Sequence, residues 1–170
     1  YTVNYYLKHT TTKVADSKNV TGQTFGASVT ENAIDVAGYN KVDPTSATIT
    51  IAVKDNVINF YYEKRTDLSY TVNYLEKDSN KVLSTPKTVK NQTFGSEAAE
   101  DAIDITGYDK VAPTSQKLTI SADETKNIIN FYYTKRTNIS YTVNYLEQGT
   151  NAVLAGAKTV DGKTFEESVS

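Results

Sequence analysis

Hydrophobic and polar residues alternate in several short runs along this chain. In one run, Tyr70, Val72 and Tyr74 occupy alternate positions, and the polar residues Thr71 and Asn73 lie between them. An alternation with a period of two is typical of a β-strand that buries one face and exposes the other. The pattern therefore predicts a strand whose aromatic and aliphatic side chains point into a core.

The same run returns at a nearly constant spacing, which indicates a tandem repeat. Tyr1 and Tyr70 are 69 residues apart, and Tyr70 and Tyr141 are 71 residues apart. The two additional residues lie after Ile120, between two strand-like runs, where a hairpin tolerates insertion. We predict repeat one at residues 1–67, repeat two at residues 68–138, and a third repeat, cut short, at residues 139–170.

Each repeat also contains a segment of helix-like composition and a final apolar strand. Residues 96–103 are rich in Ala and Glu, and in repeat one Ser28 precedes Glu31 by three positions, as in a capping box. These features predict one short helix per repeat. Residues 128–133 are apolar almost throughout, which is typical of a strand with neighbours on both edges.

The order of these elements predicts an α+β fold. A sheet crossed by one helix is a stable layered arrangement, and a β-grasp (ubiquitin-like) topology fits the order strand, strand, helix, strands. In that topology the first and last strands are parallel neighbours, which requires the long crossover that each repeat provides. We therefore predict tandem β-grasp repeats, each a mixed sheet crossed by one short helix.

The candidate binding residues lie on the sheet face that the alternation directs away from the helix. Amides donate and accept hydrogen bonds and tyrosine rings offer flat apolar faces, so together they suit the hydroxyl groups and rings of sugars. The alternative is that they only cover a solvated sheet or a contact between domains. The candidate glycan-binding residues are Asn4, Tyr6, Asn59 and Tyr61 in repeat one, and Asn73, Asn130 and Tyr132 in repeat two.

Composition and charge argue against several classes of function. The 170 residues include 18 Lys and Arg and 20 Asp and Glu, for a formal net charge of −2 without charge blocks. No nucleic acid partner is predicted from such a surface, and no apolar run has the length of a membrane helix, so no membrane insertion is predicted. The absence of Cys removes disulfides and thiol nucleophiles.

No arrangement of residues predicts catalysis, and the chain is predicted not to be an enzyme. The carboxylates Asp35 and Asp104 recur, but Asp101 is replaced by Asn32 in repeat one, so the acid pair that a glycosidase needs is not repeated. His9 has no counterpart in the other repeats. No cofactor and no metal site are predicted, although a single structural calcium ion held by loop oxygens is left open.

In the second predicted strand of each repeat, one lysine occupies a position that the alternation places on the core side. These lysines are Lys18, Lys87 and Lys158. One interpretation is an edge-strand lysine that bends outwards and blocks pairing with other strands. The other is an intramolecular isopeptide bond to Asn59 or Asn130. The first is favoured, because those two asparagines have the outer-face parity.

Four motifs together resemble a known family. They are the opening Tyr-Thr-Val-Asn-Tyr, the Thr-Phe-Gly before the predicted helix, the Gly-Tyr after it, and the closing Asn-Phe-Tyr-Tyr. The pattern is similar to the MucBP (mucin-binding protein) repeats of Gram-positive surface adhesins, which occur in tandem and have a β-grasp fold. The resemblance covers repeats one and two and the first part of repeat three. It implies an extracellular, cell-surface location, with cell-wall anchoring through a region outside this chain.

The resemblance implies two alternative functions. The repeats would bind mucin or other host glycans weakly and through many copies, or they would form a stalk that projects a separate adhesive head from the cell wall. In either case we expect a secreted, monomeric protein, and in the first case its partners are host glycoproteins.

Overall fold

The computed structural model describes residues 1–169, and within them the regular secondary structure is almost entirely β-strand. In repeat one the first strand, β1 (Thr2–Leu7), lies parallel to the last strand, β6 (Val57–Lys64). The edge strands are β2 (Lys13–Asn19), antiparallel to β1, and β4 (Tyr39–Val42), antiparallel to β6, which gives the order β2-β1-β6-β4. The predicted parallel pairing of first and last strands is confirmed.

Repeat two has the same strand order. Its first and last strands, β7 (Leu68–Glu76) and β12 (Ile128–Lys135), are parallel neighbours. The edge strands are β8 (Val82–Gln92) and β10 (Tyr108–Lys110), in the order β10-β12-β7-β8. The repeat of the sequence is therefore also a repeat of sheet topology.

Repeat three forms a hairpin in the described residues. Its strands are β13 (Ile139–Leu146) and β14 (Val153–Lys163), which pair antiparallel.

The prediction of a helix in each repeat is wrong. In repeat one, β3 (Ser28–Asn32) pairs antiparallel with β5 (Ser46–Thr50). In repeat two, β9 (Glu97–Asp101) pairs with β11 (Ser115–Thr119). The one helix within residues 1–169 is a 3-10 helix of three residues at Glu124–Lys126. A two-stranded ribbon thus stands where we expected a helix, and the helix-crossed sheet of a β-grasp is not confirmed.

The alternation predicted the buried face of the sheet correctly. In repeat two, Val72 and Tyr74 of β7 and Ile129, Phe131 and Tyr133 of β12 are between 0% and 4% exposed. Their neighbours in the sequence are more exposed and lie on the opposite face. Burial of these large apolar side chains is the main contribution that the sheet makes to stability.

In repeat one the ribbon covers the buried face. Ala47 and Ile49 of β5 pack against the cluster that contains Phe60 and Tyr62. The hydroxyl of Tyr62 donates a hydrogen bond to the carbonyl oxygen of Ile34 at 2.9 Å, so this buried phenol keeps a partner. Burial raises the pKa of Tyr62 above its ordinary value. The ribbon therefore replaces the expected helix as the second layer.

By its internal contacts the chain divides into two compact units, which differ from the predicted repeats. The repeat boundaries stay a prediction. The first unit comprises Tyr1–Tyr70, Thr88–Ala98 and Leu118–Asn127, and the second comprises Thr71–Lys87, Ala99–Lys117 and the chain from Ile128 onward.

Candidate functional site

The outer sheet face of repeat one carries a pair of hydrogen-bonded asparagines. Asn4 of β1 lies opposite Asn59 of β6, and the Nδ2 of Asn4 donates to the Oδ1 of Asn59 at 2.9 Å. The Oδ1 of Asn4 accepts a hydrogen bond from the hydroxyl of Ser17 at 2.7 Å. The Nδ2 of Asn59 donates to no acceptor within residues 1–169, so this amide retains donors for a ligand.

Two tyrosines lie beside this pair on the same face. Tyr6 is opposite Tyr61 in the parallel register. Tyr61 is 40% exposed, whereas Tyr6 is half-buried. An exposed phenol offers a flat apolar face with a hydroxyl at its tip. The structure therefore brings all four candidate residues of repeat one together.

Tyr61 also lines an open depression of about 790 Å³. The turn between β1 and β2 and the residues at the end of β4 form its other walls. At the tip of that turn His9 has a φ of 62°, which turns the chain sharply back. The lining residues are Lys8, His9, Thr10, Thr11, Thr12, Val42, Asp43 and Tyr61.

Charges of both signs meet at the depression. The ammonium group of Lys8 lies 2.7 Å from the Oε1 of Glu63. The hydrogen bond from Lys8 holds the pKa of Glu63 below its ordinary value, so this carboxylate stays ionised. Of the two carboxylates, Asp43 lines the depression itself, and the threonines of the turn add hydroxyl groups. Mixed charges, hydroxyls and one aromatic face suit a polar, uncharged ligand such as a sugar.

The alternation of polar and apolar residues predicted the position of Tyr61, but it gave no indication of the turn between β1 and β2 that lies next to it. A turn has no period-two pattern, so its residues carry no signal of that kind. A comparison of the repeats does carry one, because His9 and Asp43 correspond to Asp78 and Ala112 in repeat two. The lining of the depression is therefore particular to repeat one.

Repeat two shares only part of this face. The Nδ2 of Asn73 donates to the Oδ1 of Asn130 at 2.8 Å, so the asparagine pair recurs. Tyr132 lies on the same face and is half-buried, but Leu75 stands opposite it, so the pair of tyrosines does not recur. The structure brings the three candidate residues of repeat two together on one sheet without an aromatic pair.

A second repeated feature is a packing contact that we call a joint. In the first joint, which lies within the first unit, the ring of Phe94 lies against Gly38 and meets Tyr39 edge-on. The two ring centroids are 5.3 Å apart, at an interplanar angle of 71°. The backbone amide of Phe94 donates to the carbonyl of Arg65 at 2.9 Å, and the amide of Arg65 donates to the carbonyl of Gly38 at 2.9 Å.

The second joint, within the second unit, uses the same residue types. Phe165 lies against Gly107 and meets Tyr108 edge-on, with centroids 5.6 Å apart at 67°. The amide of Phe165 donates to the carbonyl of Arg136 at 2.8 Å, and the amide of Arg136 donates to the carbonyl of Gly107 at 2.9 Å. Recurrence of the rings and of both backbone bonds shows that the joint belongs to the repeat itself.

The edge-strand lysines of repeats one and two form ion pairs. The Nζ of Lys18 lies 2.6 Å from the Oε1 of Glu31, and Lys87 pairs with Glu100 at 2.7 Å. The hydroxyl of Tyr1 also donates to Glu31, at 2.5 Å. The structure therefore supports the interpretation as edge-strand lysines, since Asn59, the proposed isopeptide partner of Lys18, bonds to Asn4 on the outer face instead.

Replacing Glu31 with glutamine is expected to lower the free energy of unfolding by about 1 kcal/mol at pH 7, because two hydrogen bonds to a carboxylate are weakened. Lys18 and Tyr1 lower the pKa of Glu31 in the folded protein. The stabilisation is therefore full above the ordinary carboxyl pKa and is lost as the pH falls through the folded-state value. Urea unfolding across this pH range tests this.

The control for that experiment is Glu63→Gln, which breaks the more exposed pair with Lys8. Solvent screening should make its effect smaller. A difference between wild type and Glu31→Gln that stays constant into strong acid would contradict the expectation.

Two further findings concern the described residues as a whole. Within residues 1–169 no group of three or more His, Cys, Asp or Glu side chains is placed to hold a metal ion. In the same part of the chain no helix is long and apolar enough to cross a membrane.

Among the solved structures that are similar to this chain are two whose likeness covers most of it. No protein-family model and no curated protein matches the chain. It is similar to the type 2 repeat of the mucus binding protein MUB from Lactobacillus reuteri, with 13% identity and a TM-score of 0.31 over 79% of this chain and 98% of that chain. It is also similar to Mub-RV, with 14% identity and a TM-score of 0.30 over the same shares. At these values the likeness assigns no function to this chain.

Proposed function

We propose that this chain is part of an extracellular adhesin on a bacterial cell surface, and that it binds mucin or other host glycans weakly and through several copies. The observation that supports this most is the surface of repeat one. There the exposed ring of Tyr61 and the hydroxyl-lined turn at Lys8–Thr12 face one open depression, and the free amide of Asn59 lies on the same sheet face as Tyr61. The proposal includes anchoring to a Gram-positive cell wall through a region outside this chain.

The energetics favour weak binding at each site. A stacked ring and a few amide hydrogen bonds each contribute on the order of 1 kcal/mol net. A single site would then bind in roughly the millimolar range. Linked sites that engage one densely glycosylated polymer raise the effective concentration, and avidity then gains about 100-fold or more without any new contact.

A second candidate function is a spacer that holds a separate adhesive head away from the cell wall. The joints favour it, because the same glycine, tyrosine, arginine and phenylalanine recur with the same backbone bonds. Defined contacts between successive repeats are what a spacer requires. In that case the asparagine pairs only cover a solvated sheet face and bind no ligand.

The first test replaces Tyr61 with alanine and measures retention on immobilised mucin. Loss of one stacking surface should cost about 1 kcal/mol, or roughly fivefold in Kd. Tyr132→Ala is the matched control, because Tyr132 holds the same place in repeat two but is half-buried and lies opposite a leucine. We expect a smaller loss from the control.

The second measurement uses His9, which is the only histidine in the chain, as a reporter. Its ring resonances should shift on titration with glycans released from mucin, and the shifts should be weaker in Tyr61→Ala. If wild type binds and neither observable responds to Tyr61→Ala, the ligand occupies another surface. If wild type shows no retention and no shift, the spacer is the better conclusion.

A further inference from the structure

Phe25 is the equivalent in repeat one of the two joint phenylalanines, but within residues 1–169 no glycine and tyrosine receive its ring as they receive the rings of Phe94 and Phe165. It is 73% exposed, whereas Phe94 and Phe165 are half-buried against a glycine and a tyrosine. A phenylalanine side chain this exposed forfeits most of its hydrophobic stabilisation. Its amide also donates to no backbone carbonyl within residues 1–169, unlike the amides of Phe94 and Phe165.

The turn that presents Phe25 is nevertheless built like the turn that presents Phe94. In repeat one the amide of Gly26 donates to the carbonyl of Ile51 at 2.8 Å, and the amide of Ala27 donates to the carbonyl of Thr24 at 3.1 Å. Repeat two has the same two bonds, from Gly95 to Ile120 at 2.9 Å and from Ser96 to Thr93 at 3.1 Å. The turn therefore holds Phe25 in the same way as Phe94 is held in the first joint, although within residues 1–169 no glycine surface receives its ring.

The two observed joints define the surface that would receive this ring. It consists of a glycine at positive φ, which lets the ring approach the backbone, followed by a tyrosine that meets the ring edge-on. An arginine further along the chain completes the surface. Its amide donates to the carbonyl of that glycine, and its own carbonyl accepts a hydrogen bond from the phenylalanine amide. Both copies of this surface in the described chain, at Gly38 and Gly107, are already occupied.

We propose that Phe25 forms a third joint with a repeat of the same kind joined directly ahead of Tyr1. The amide of Phe25 donates to the arginine carbonyl of that repeat, and its ring lies on the glycine. A second copy of this chain is disfavoured as the occupant, because its two glycine surfaces hold their own phenylalanines.

The experiment adds a copy of residues 1–69 in front of the complete chain, so that the added copy precedes Tyr1 as repeat one precedes Tyr70. Hydrogen exchange then reports on the amide of Phe25. We expect exchange to be about tenfold or more slower in the extended chain than in the original chain, because the amide gains a carbonyl partner. Unchanged exchange would overturn the proposal.

Two variants separate the joint from a general stabilisation of the longer chain. Phe25→Ala should lower the Tm of the first unit in the extended chain and leave the original chain nearly unchanged, since the ring contributes only when it is packed. Replacing with alanine only the added copy's counterpart of Gly38 should restore fast exchange at Phe25. Equal effects of Phe25→Ala in both chains would contradict the proposal.

The original chain at increasing concentration tests the other occupant. We expect sedimentation to show one concentration-independent species. A dimer of the original chain that Phe25→Ala abolishes would overturn the proposal and make a second copy the partner of Phe25.

Discussion

Replacing Gly38 with alanine is expected to lower the free energy of unfolding of the first unit by about 3 kcal/mol. Gly38 has a φ of 83°, a conformation that costs a residue with a Cβ roughly 1 kcal/mol or more. The new Cβ would also lie 2.5 Å from the Cδ1 of Phe94, so the ring must leave the joint and lose roughly 2 kcal/mol of burial. Urea unfolding followed by circular dichroism measures the change.

The chain provides a close control in Gly26→Ala. Gly26 has a φ of 79°, almost the same as Gly38, but a Cβ built there would have no neighbour within 4 Å. Its replacement should therefore cost only the backbone strain, about 1 kcal/mol. The difference between the two variants measures what the contact with Phe94 contributes to stability. Equal losses would show that the first joint contributes little.

Replacing Asn127 with aspartate is expected to cost about 3 kcal/mol or more at pH 7. The side chain is 1% exposed. Its Oδ1 accepts from the amide of Ser121 at 2.8 Å, and its Nδ2 donates to the carbonyls of Ser69 at 3.0 Å and of Ser121 at 2.9 Å. Aspartate has the same shape, but it sets a charged oxygen against two carbonyl oxygens. An uncompensated buried charge costs several kcal/mol.

The matched control is Asn56→Asp in repeat one. Asn56 makes the same paired bonds with Ala52, both at 2.8 Å, but it is half-buried. Within residues 1–169 its side chain lacks a third bond of the kind that Asn127 makes with the carbonyl of Ser69. Its replacement should cost less. Burial, together with the two carbonyl oxygens that would face the second carboxylate oxygen, raises the pKa of the introduced carboxyl group, so the cost of Asn127→Asp should shrink in acid and grow as the pH rises. Equal costs at every pH would contradict this account.

The sheet could be predicted from the sequence because its signal is local. Val72 and Tyr74 alternate with polar residues, and a period of two fixes which face is buried whatever covers it. The central position of β12 follows from its apolar composition. The parallel pairing of first and last strands follows from the length of the chain between them.

The helix was predicted wrongly because the Ala- and Glu-rich composition of this segment was given more weight than its pattern of apolar and polar positions. Residues 97–101 are Ala- and Glu-rich, yet only Ala98 is fully buried and the flanking residues are exposed, as in a strand. Repeat one carries the better signal at this place, since Val29 and Thr30 are β-branched and favour strands. The antiparallel register with β5 then decides the conformation, and that pairing is not local.

The residues of the candidate site also divide into those with a local signal in the sequence and those without one. The outer-face residues of repeat one, including Asn59 and Tyr61, could be placed by parity alone. The turn with His9 could not, because a turn has no period-two pattern. The joints could not, because they depend on segments that are distant in the sequence. Thr-Phe-Gly and Gly-Tyr were visible as repeated motifs, but nothing local indicates that Phe94 packs on Gly38 of the preceding repeat.

Each joint connects two unlike surfaces, a phenylalanine on one side and a glycine with a tyrosine on the other. A contact of this heterologous kind has a direction, so each repeat offers one surface to the repeat before it and the other to the repeat after it. The energy of such an array is then close to a sum of identical terms, one for each repeat and one for each neighbouring pair. Duplication or deletion of a whole repeat in the gene leaves every remaining contact unchanged. Copy number can therefore vary in evolution without any other change in the sequence.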